Sequence, residues 1–380
     1  MNRAARQILP PLLLALFALG IFHFRVRHEM PDFAVYRQAA IRAIHAEPLY
    51  RAGDGHYQFK YLPAFALAMA PLAWMDADTA AALWFAVSFV GLLIFLRWSV
   101  RLVPERRLTF WPLLLLTLLF MVKFYGHELV LGQANTMFGL CLLLTLGALD
   151  LDAPGWAGAF VAAAVLVKPY GILFAPWLLV SGKERALVAG AVTGLAGLLV
   201  PAIVYGWAGN LHLLAGWYHT VTSTTAGNLV ASDNVSFAAM WAKWLGIGRA
   251  AAVLAGVTAL AAFGAAAWTW WRRDVSAPDS SPNYLEVALL LLLVPLLSPQ
   301  GWDYVLLLAT PAVVLVLDRW KDVGVAWRAV TAIALAVMGL TQFDLMGRAL
   351  YGRFMATSAV TVAAIALTIA IVHLRWRRLA

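Results

Sequence analysis

Twelve apolar runs divide the chain, near residues 8–24, 79–97, 108–124, 136–150, 156–168, 170–180, 187–207, 249–271, 284–298, 302–317, 324–341 and 354–373. Hydrocarbon about 30 Å thick calls for roughly 20 apolar residues per straight helix, and several of these runs approach that length. The shorter ones suit thinned bilayer or a water-filled cavity. Charged residues make up only 12% of the chain and hydrophobic ones 63%. A soluble domain carries about 25% charge, so too little polar surface remains to face water. The expectation is an all-α, polytopic integral membrane protein, with residues 1–380 forming one transmembrane domain. The N-terminal run ends in Phe22-His23-Phe24-Arg25 with no small-residue cleavage site, and it reads as an uncleaved first span.

The net charge of +9 would suggest nucleic acid in a soluble protein. Here most of the basic residues sit in short loops, so the charge is a topology signal and no nucleic-acid partner is expected. With the N-terminus inside, sixteen of the 28 lysines and arginines face the cytoplasm. Six of the rest fall in one segment, residues 25–60. The threading predicts a first outside loop over 25–78 and a second large one over 207–248. Residues 59–75 are apolar but interrupted by Pro63 and Pro71, which predicts an interfacial or re-entrant helix. The segment 274–282 reads as a short flexible inside loop.

The basic cluster outside needs a cause. A phosphate-bearing ligand at the membrane surface is one, with Arg37 and Arg42 as its contacts. An amphipathic helix lying on the headgroups is the other. The unusual polar residues gather on the same face. Asp32 opens Phe33-Ala-Val-Tyr36 and reads as a general base or as a helix N-cap. Gln133 and Asn135 suit sugar hydroxyls or interhelical hydrogen bonds. Lys168 interrupts an apolar stretch just before Pro169, as a functional intramembrane charge or a snorkelling lysine would. Asn234-Val-Ser236 and Ser298-Pro299-Gln300-Gly301-Trp302-Asp303 complete the set, and the aromatic residues Trp217, Tyr218, Trp241 and Trp244 suit either an interfacial belt or stacking on sugars.

No phosphate-binding loop of the ATPase type occurs, and no His and carboxylate cluster has metal spacing. His127-Glu128 reads as capping or packing. Neither a metal nor another cofactor is expected. The lone cysteine, Cys141, lies in an apolar run where thiol chemistry is disfavoured.

These residues resemble glycosyltransferase family 87, a membrane mannosyltransferase-like group of GT-C fold. The resemblance rests on Asp32-Phe-x-Val-Tyr36, Pro48-Leu-Tyr50, Phe59-x-Tyr61-x-Pro63 with Pro71-Leu72, Gly132-Gln133-x-Asn135, Lys168-Pro169 with Pro176-Trp177-Leu178-Leu179, Asn234-x-Ser236 and Ser298-Pro299-x-x-Trp302. It implies a bundle of about twelve transmembrane helices in the inner, or plasma, membrane. It implies a polyprenyl-phosphate sugar donor, with mannose as the sugar, presented on the extracytoplasmic face and a lipid or glycan hydroxyl as acceptor. Asp32 would be the base, Arg37, Arg42 and Lys168 the phosphate contacts, and Tyr36, Gln133, Asn135, Asn234, Ser236, Trp302 and Asp303 the substrate contacts. The family's loop usually continues Ser-Trp-x-His-His, whereas this chain has Gly301-Trp302-Asp303-Tyr304, without either histidine. The same donor follows from the compartment: where nucleotide sugars and ATP are absent, the donor itself must supply the driving force. The competing expectation is a transporter or lipid-linked-sugar flippase, which would show repeats and paired broken helices.

Overall fold

A computed structural model describes residues 13–273 and 282–377. The segment expected as a flexible inside loop falls almost wholly outside them, as do Arg3, Arg6 and Arg378 of the inside charge set. Among the described residues the regular secondary structure is helical, apart from one isolated antiparallel bridge between Asn234 and Trp302.

In chain order the helices are α1 (Leu13–Val26), α2 (Pro31–Ile44), α3 (Pro63–Ala68), α4 (Ala70–Ala73), α5 (Ala77–Arg101), α6 (Phe110–Leu131), α7 (Asn135–Asp150), α8 (Pro154–Val167), α9 (Phe174–Val180) and α10 (Glu184–Leu199). There follow α11 (Ala202–Asn228), α12 (Phe237–Leu245), α13 (Arg249–Trp271), α14 (Pro282–Leu297), α15 (Thr310–Asp318), α16 (Val325–Leu340), α17 (Phe343–Met346), α18 (Arg348–Ala356) and α19 (Ala359–Arg377). Four helices, α5, α6, α13 and α19, are individually long and apolar enough to cross a membrane. The pair α10 and α11 makes a fifth candidate, bent by 94° at its break. Pro201 stands at that break, where it cannot donate a helical hydrogen bond. The chain is therefore an all-helical membrane protein. Six further apolar helices have ten to seventeen residues, and the run at 302–317 folds as a 3-10 turn and the nine-residue α15. At 1.5 Å per residue such helices cover less than the hydrocarbon thickness.

The structure gives shape to both expected outside segments. The second outside segment begins as helix: α11 continues to Asn228, kinked at Gly206, and only then gives way to turns. Residues 59–75 do contain helix, but α3 and α4 have six and four residues, far too few to span.

The core lies along α14 and α15. From Val287 to Val294 α14 is buried on every side, and all nine residues of α15 are buried. A helix apolar all round belongs in such a position. At its far end Glu286, also buried, ties the bundle together. It accepts hydrogen bonds from Trp177 Nε1 at 2.8 Å and Arg375 at 3.1 Å, and it pairs with Arg273. Helices α8 and α10 touch through glycine: a Cβ on Gly158 would stand 2.1 Å from the Ala186 carbonyl oxygen.

Candidate active site

Pro31 starts α2 with its φ already set for a helix, and Asp32 follows in the first turn. Asp32 is not the cap. That position belongs to Met30, without a side-chain hydrogen bond, and the Asp32 carboxylate is bonded instead from the turn between α6 and α7. Gln133 Nε2 donates to Asp32 Oδ2 at 2.7 Å.

Gln133 owes its place to Gly132, which ends α6 at φ +69°. A side chain is strained there, and a Cβ would stand 2.8 Å from Phe33 Cβ. The Gly132 carbonyl accepts from Trp84 Nε1 at 2.8 Å, which locks the turn to α5. Gln133 then joins four elements through one amide. Its nitrogen donates to Asp32 and also reaches the Tyr304 hydroxyl at 3.2 Å. Its oxygen accepts from Tyr36 and Tyr61 at 3.1 Å each and from Lys168 Nζ at 3.3 Å.

Lys168 follows the last residue of α8 in extended conformation, because Pro169 disfavours continued helix before it. Its Nζ donates to Asn135 Oδ1 at 2.6 Å and lies 5.4 Å from the Tyr61 ring centroid. Asn135 is in turn held by Glu128 at 2.8 Å, and Glu128 also accepts from the Thr136 backbone N–H at 2.7 Å. Glu128 thus satisfies a free donor at the start of α7 and orients the amide beside Lys168.

The 298–303 turn forms the facing wall. Val235 N–H donates to Gly301 O at 2.7 Å, and Asp303 N–H donates to Asp233 O at 2.8 Å. Asn234 Nδ2 adds bonds to Pro299 O at 2.8 Å and Asn228 O at 3.0 Å. Ser236 caps α12 by accepting from Ala239 N–H at 3.0 Å. Gln300 reaches α11 through the Thr225 hydroxyl at 3.0 Å and receives Lys60 Nζ at 3.3 Å.

Between these walls lies a cavity of about 1680 Å³. Asp32, Tyr36, Gln133, Lys168, Trp302 and Asp303 all border it, beside apolar residues such as Val35, Val122 and Leu129. Asn135 stands behind Lys168, and Asn234 and Ser236 brace the turn from outside the cavity wall. The two arginines are engaged elsewhere. Arg37 donates to Met75 O at 2.6 Å. Arg42 grips Asp54 with both terminal nitrogens, at 2.5 and 2.8 Å, beside a separate pocket of about 460 Å³.

Burial raises the Asp32 carboxyl above its usual range, against the Gln133 hydrogen bond and the charges of Lys168, His56 and Lys60, which favour the ionised form. Lys60 is lowered by burial, against the pull of Asp32. A carboxylate with a raised pKa is equipped to take a proton, and the cations beside it to stabilise an anion.

A family model described as glycosyltransferase family 87 matches residues 59–299. The chain belongs to glycosyltransferase family 87. It is a membrane glycosyltransferase. The matched stretch holds Lys60, Tyr61, Gln133, Lys168 and Asn234, whereas Asp32 precedes it and Trp302 to Tyr304 follow it. No curated protein and no solved structure matches the chain.

Family 87 membership leaves several cavity residues that the motifs do not contain. Lys60, Lys123, His127, Tyr304, Arg348 and Tyr351 all line the cavity. Lys123 carried a signal: it lies inside apolar α6 just as Lys168 lies at the end of α8, and an intramembrane charge marks function by default. Tyr351 carried none, since tyrosines near membrane ends are ordinary.

Proposed function

We propose that this protein transfers a hexose, in the first instance mannose, from polyprenyl phosphate to a lipid or glycan hydroxyl on the extracytoplasmic face of the plasma membrane. The observation that carries it is Asp32, a carboxylate raised by burial, lining a largely apolar cavity with two lysines close by. The single transmembrane domain would use about twelve crossings. Both termini would be cytoplasmic, as the charge distribution of the loops requires.

Asp32 takes the proton of the acceptor hydroxyl. The oxygen so freed attacks the anomeric carbon, and the bond from that carbon to the phosphate oxygen breaks with inversion. Its electron pair leaves on the phosphate. Lys60 and Lys168 supply the positive charge that this anion needs, in place of Arg37 and Arg42, which are occupied by Met75 and Asp54. The apolar walls accommodate the start of the prenyl chain. Gln133 keeps the base oriented and partly offsets its desolvation.

The test is transfer from polyprenyl-phosphate mannose in proteoliposomes, wild type against Asp32→Asn. The amide preserves shape and removes the base, so the rate should fall by about 10²- to 10⁴-fold. A folded variant with undiminished transfer removes Asp32 from this role.

A further inference from the structure

The cavity has two ends of different charge. Around Asp32 stand Lys60 and Lys168, with Arg25 and His56 nearby, so cations outnumber the single carboxylate. At the other end Asp303, Asp233 and Asp344 face Lys123 and Arg348, with His127 and the Tyr351 ring. With Lys243 also close to Asp233 and Asp303, acids and cations stand side by side there in near balance, which suits a neutral molecule rich in hydroxyls.

The centre of that end is an open ion pair. Asp303 is 3% exposed and Lys123 6%. Yet Lys123 Nζ stands 3.8 Å from Asp303 Oδ2, and His127 Nδ1 stands 3.9 Å from Oδ1. Both gaps exceed hydrogen-bond reach. The carboxylate accepts from the Tyr351 hydroxyl at 3.2 Å, and Lys123 donates to Thr341 O at 3.0 Å. The contrast is Arg42 with Asp54, closed at 2.5 and 2.8 Å. Desolvated charges are costly unless hydrogen-bonded. A hydroxyl both donates and accepts, so it satisfies an acid on one side and an ammonium on the other. Adjacent hydroxyls on one ring address Lys123 and His127 against the same carboxylate. Lys123 Nζ lies 5.6 Å from the Tyr351 ring centroid, and Trp302 lines the same cavity as an aromatic surface for the ring.

We propose that Lys123, His127, Asp303 and Tyr351 form a subsite that reads the hydroxyls of a neutral sugar ring, carried by the donor or by the acceptor. The assignment rests on the transferase reading above for the origin of the sugar, and on the geometry alone for the class of ligand.

The full-length protein in lipid nanodiscs is titrated calorimetrically with three probes: a short prenyl phosphate, the same phosphate carrying mannose, and hexyl mannoside. Asp303→Asn and His127→Gln should each weaken at least one mannose-bearing probe tenfold or more and leave prenyl phosphate within twofold. Loss confined to the phosphomannose probe identifies the donor's ring, and loss confined to hexyl mannoside the acceptor's. His127, a third exposed at its side chain, is replaced without stranding a buried charge, so the question stands even if Asp303→Asn fails to fold. Unchanged affinity for both mannose-bearing probes overturns the subsite, as does equal weakening of prenyl phosphate, or a wild type that binds neither mannose-bearing probe. A wild type that binds hexyl mannoside but not the phosphomannose probe counts against the proposed donor, and the hexyl mannoside comparison then decides the subsite.

Discussion

Asp32 and Lys168 are joined through one amide group: Gln133 donates to the carboxylate at 2.7 Å and accepts from the ammonium at 3.3 Å. Carboxylate and ammonium are therefore held by the two polar atoms of a single planar group, and neither can shift without disturbing the other. This fixes two charges whose direct contact would neutralise both.

The pH profile should report that arrangement. As the proposed base, Asp32 would act only when ionised, and burial places its pKa above the ordinary carboxylate value, so transfer should fall as pH drops through the raised pKa. Gln133→Leu removes a hydrogen bond that lowers this pKa, and the acid limb of kcat/KM should move to higher pH. A limb that stays in place, or moves down, means another group titrates.

Lys168→Met should cut kcat/KM by about 10²- to 10³-fold, the range for losing one preorganised donor to a developing anion. Glu128→Gln can keep the bond from Asn135 only by turning its NH2 on the Thr136 N–H, but it leaves the Lys168 charge in place and should cost less. Parallel kinetics of the two variants separate charge at Lys168 from packing around it.

Gly132→Ala introduces a side chain at φ +69° and 2.8 Å from Phe33 Cβ. The strain is about 1–2 kcal/mol before any clash is relieved. The melting temperature of the purified protein should fall, and the turn that sets Gln133 should loosen, so transfer falls more than Asp32 binding geometry would tolerate. An unaltered melting temperature contradicts the close approach of α2 and α6.

Glu286→Gln leaves Arg273 and Arg375 facing a neutral amide in the interior. Breaking a buried ion pair costs about 3–5 kcal/mol. Because Glu286 and the 298–303 turn lie at opposite ends of α14, the surviving folded protein should transfer at the wild-type rate. Thermal melts and specific activity per folded molecule decide both halves.

Topology is open to labelling. In a Cys141→Ala background, a cysteine at Gly53 should react with a membrane-impermeant reagent in intact cells, and one at Arg185 only after permeabilisation. Both positions are exposed. Reversal of that pattern turns the proposed threading over.

The helices were legible because hydrophobic length reports on span and core alike. Their number as crossings was not, because a short run of apolar residues reads the same in a buried helix such as α15 as in a membrane-spanning one. The bend between α10 and α11 was hidden for a related reason: Pro201 and Gly206 sit within continuous apolar sequence. At the site, Asp32, Gln133 and Lys168 stood out as polar residues in apolar surroundings, and the structure brings them together. Arg37 and Arg42 stood out equally. What removed them from the cavity was partners at Met75 and Asp54, and no spacing in the chain discloses such pairings. Asn234 and Ser236 were read as ligand contacts, yet they hold the shape of a turn, since amides and hydroxyls serve backbone carbonyls as readily as sugars.

The 94° bend has a further consequence for traffic. Past it, α11 turns Trp217, Val221 and Thr225 toward the cavity, while Leu211 and Tyr218 on its other sides are exposed. Along that flank one helix has the cavity on one side and exposed apolar side chains on another. The proposed donor would enter along that flank, its ionic head reaching the polar groups while its tail stays against the apolar side chains.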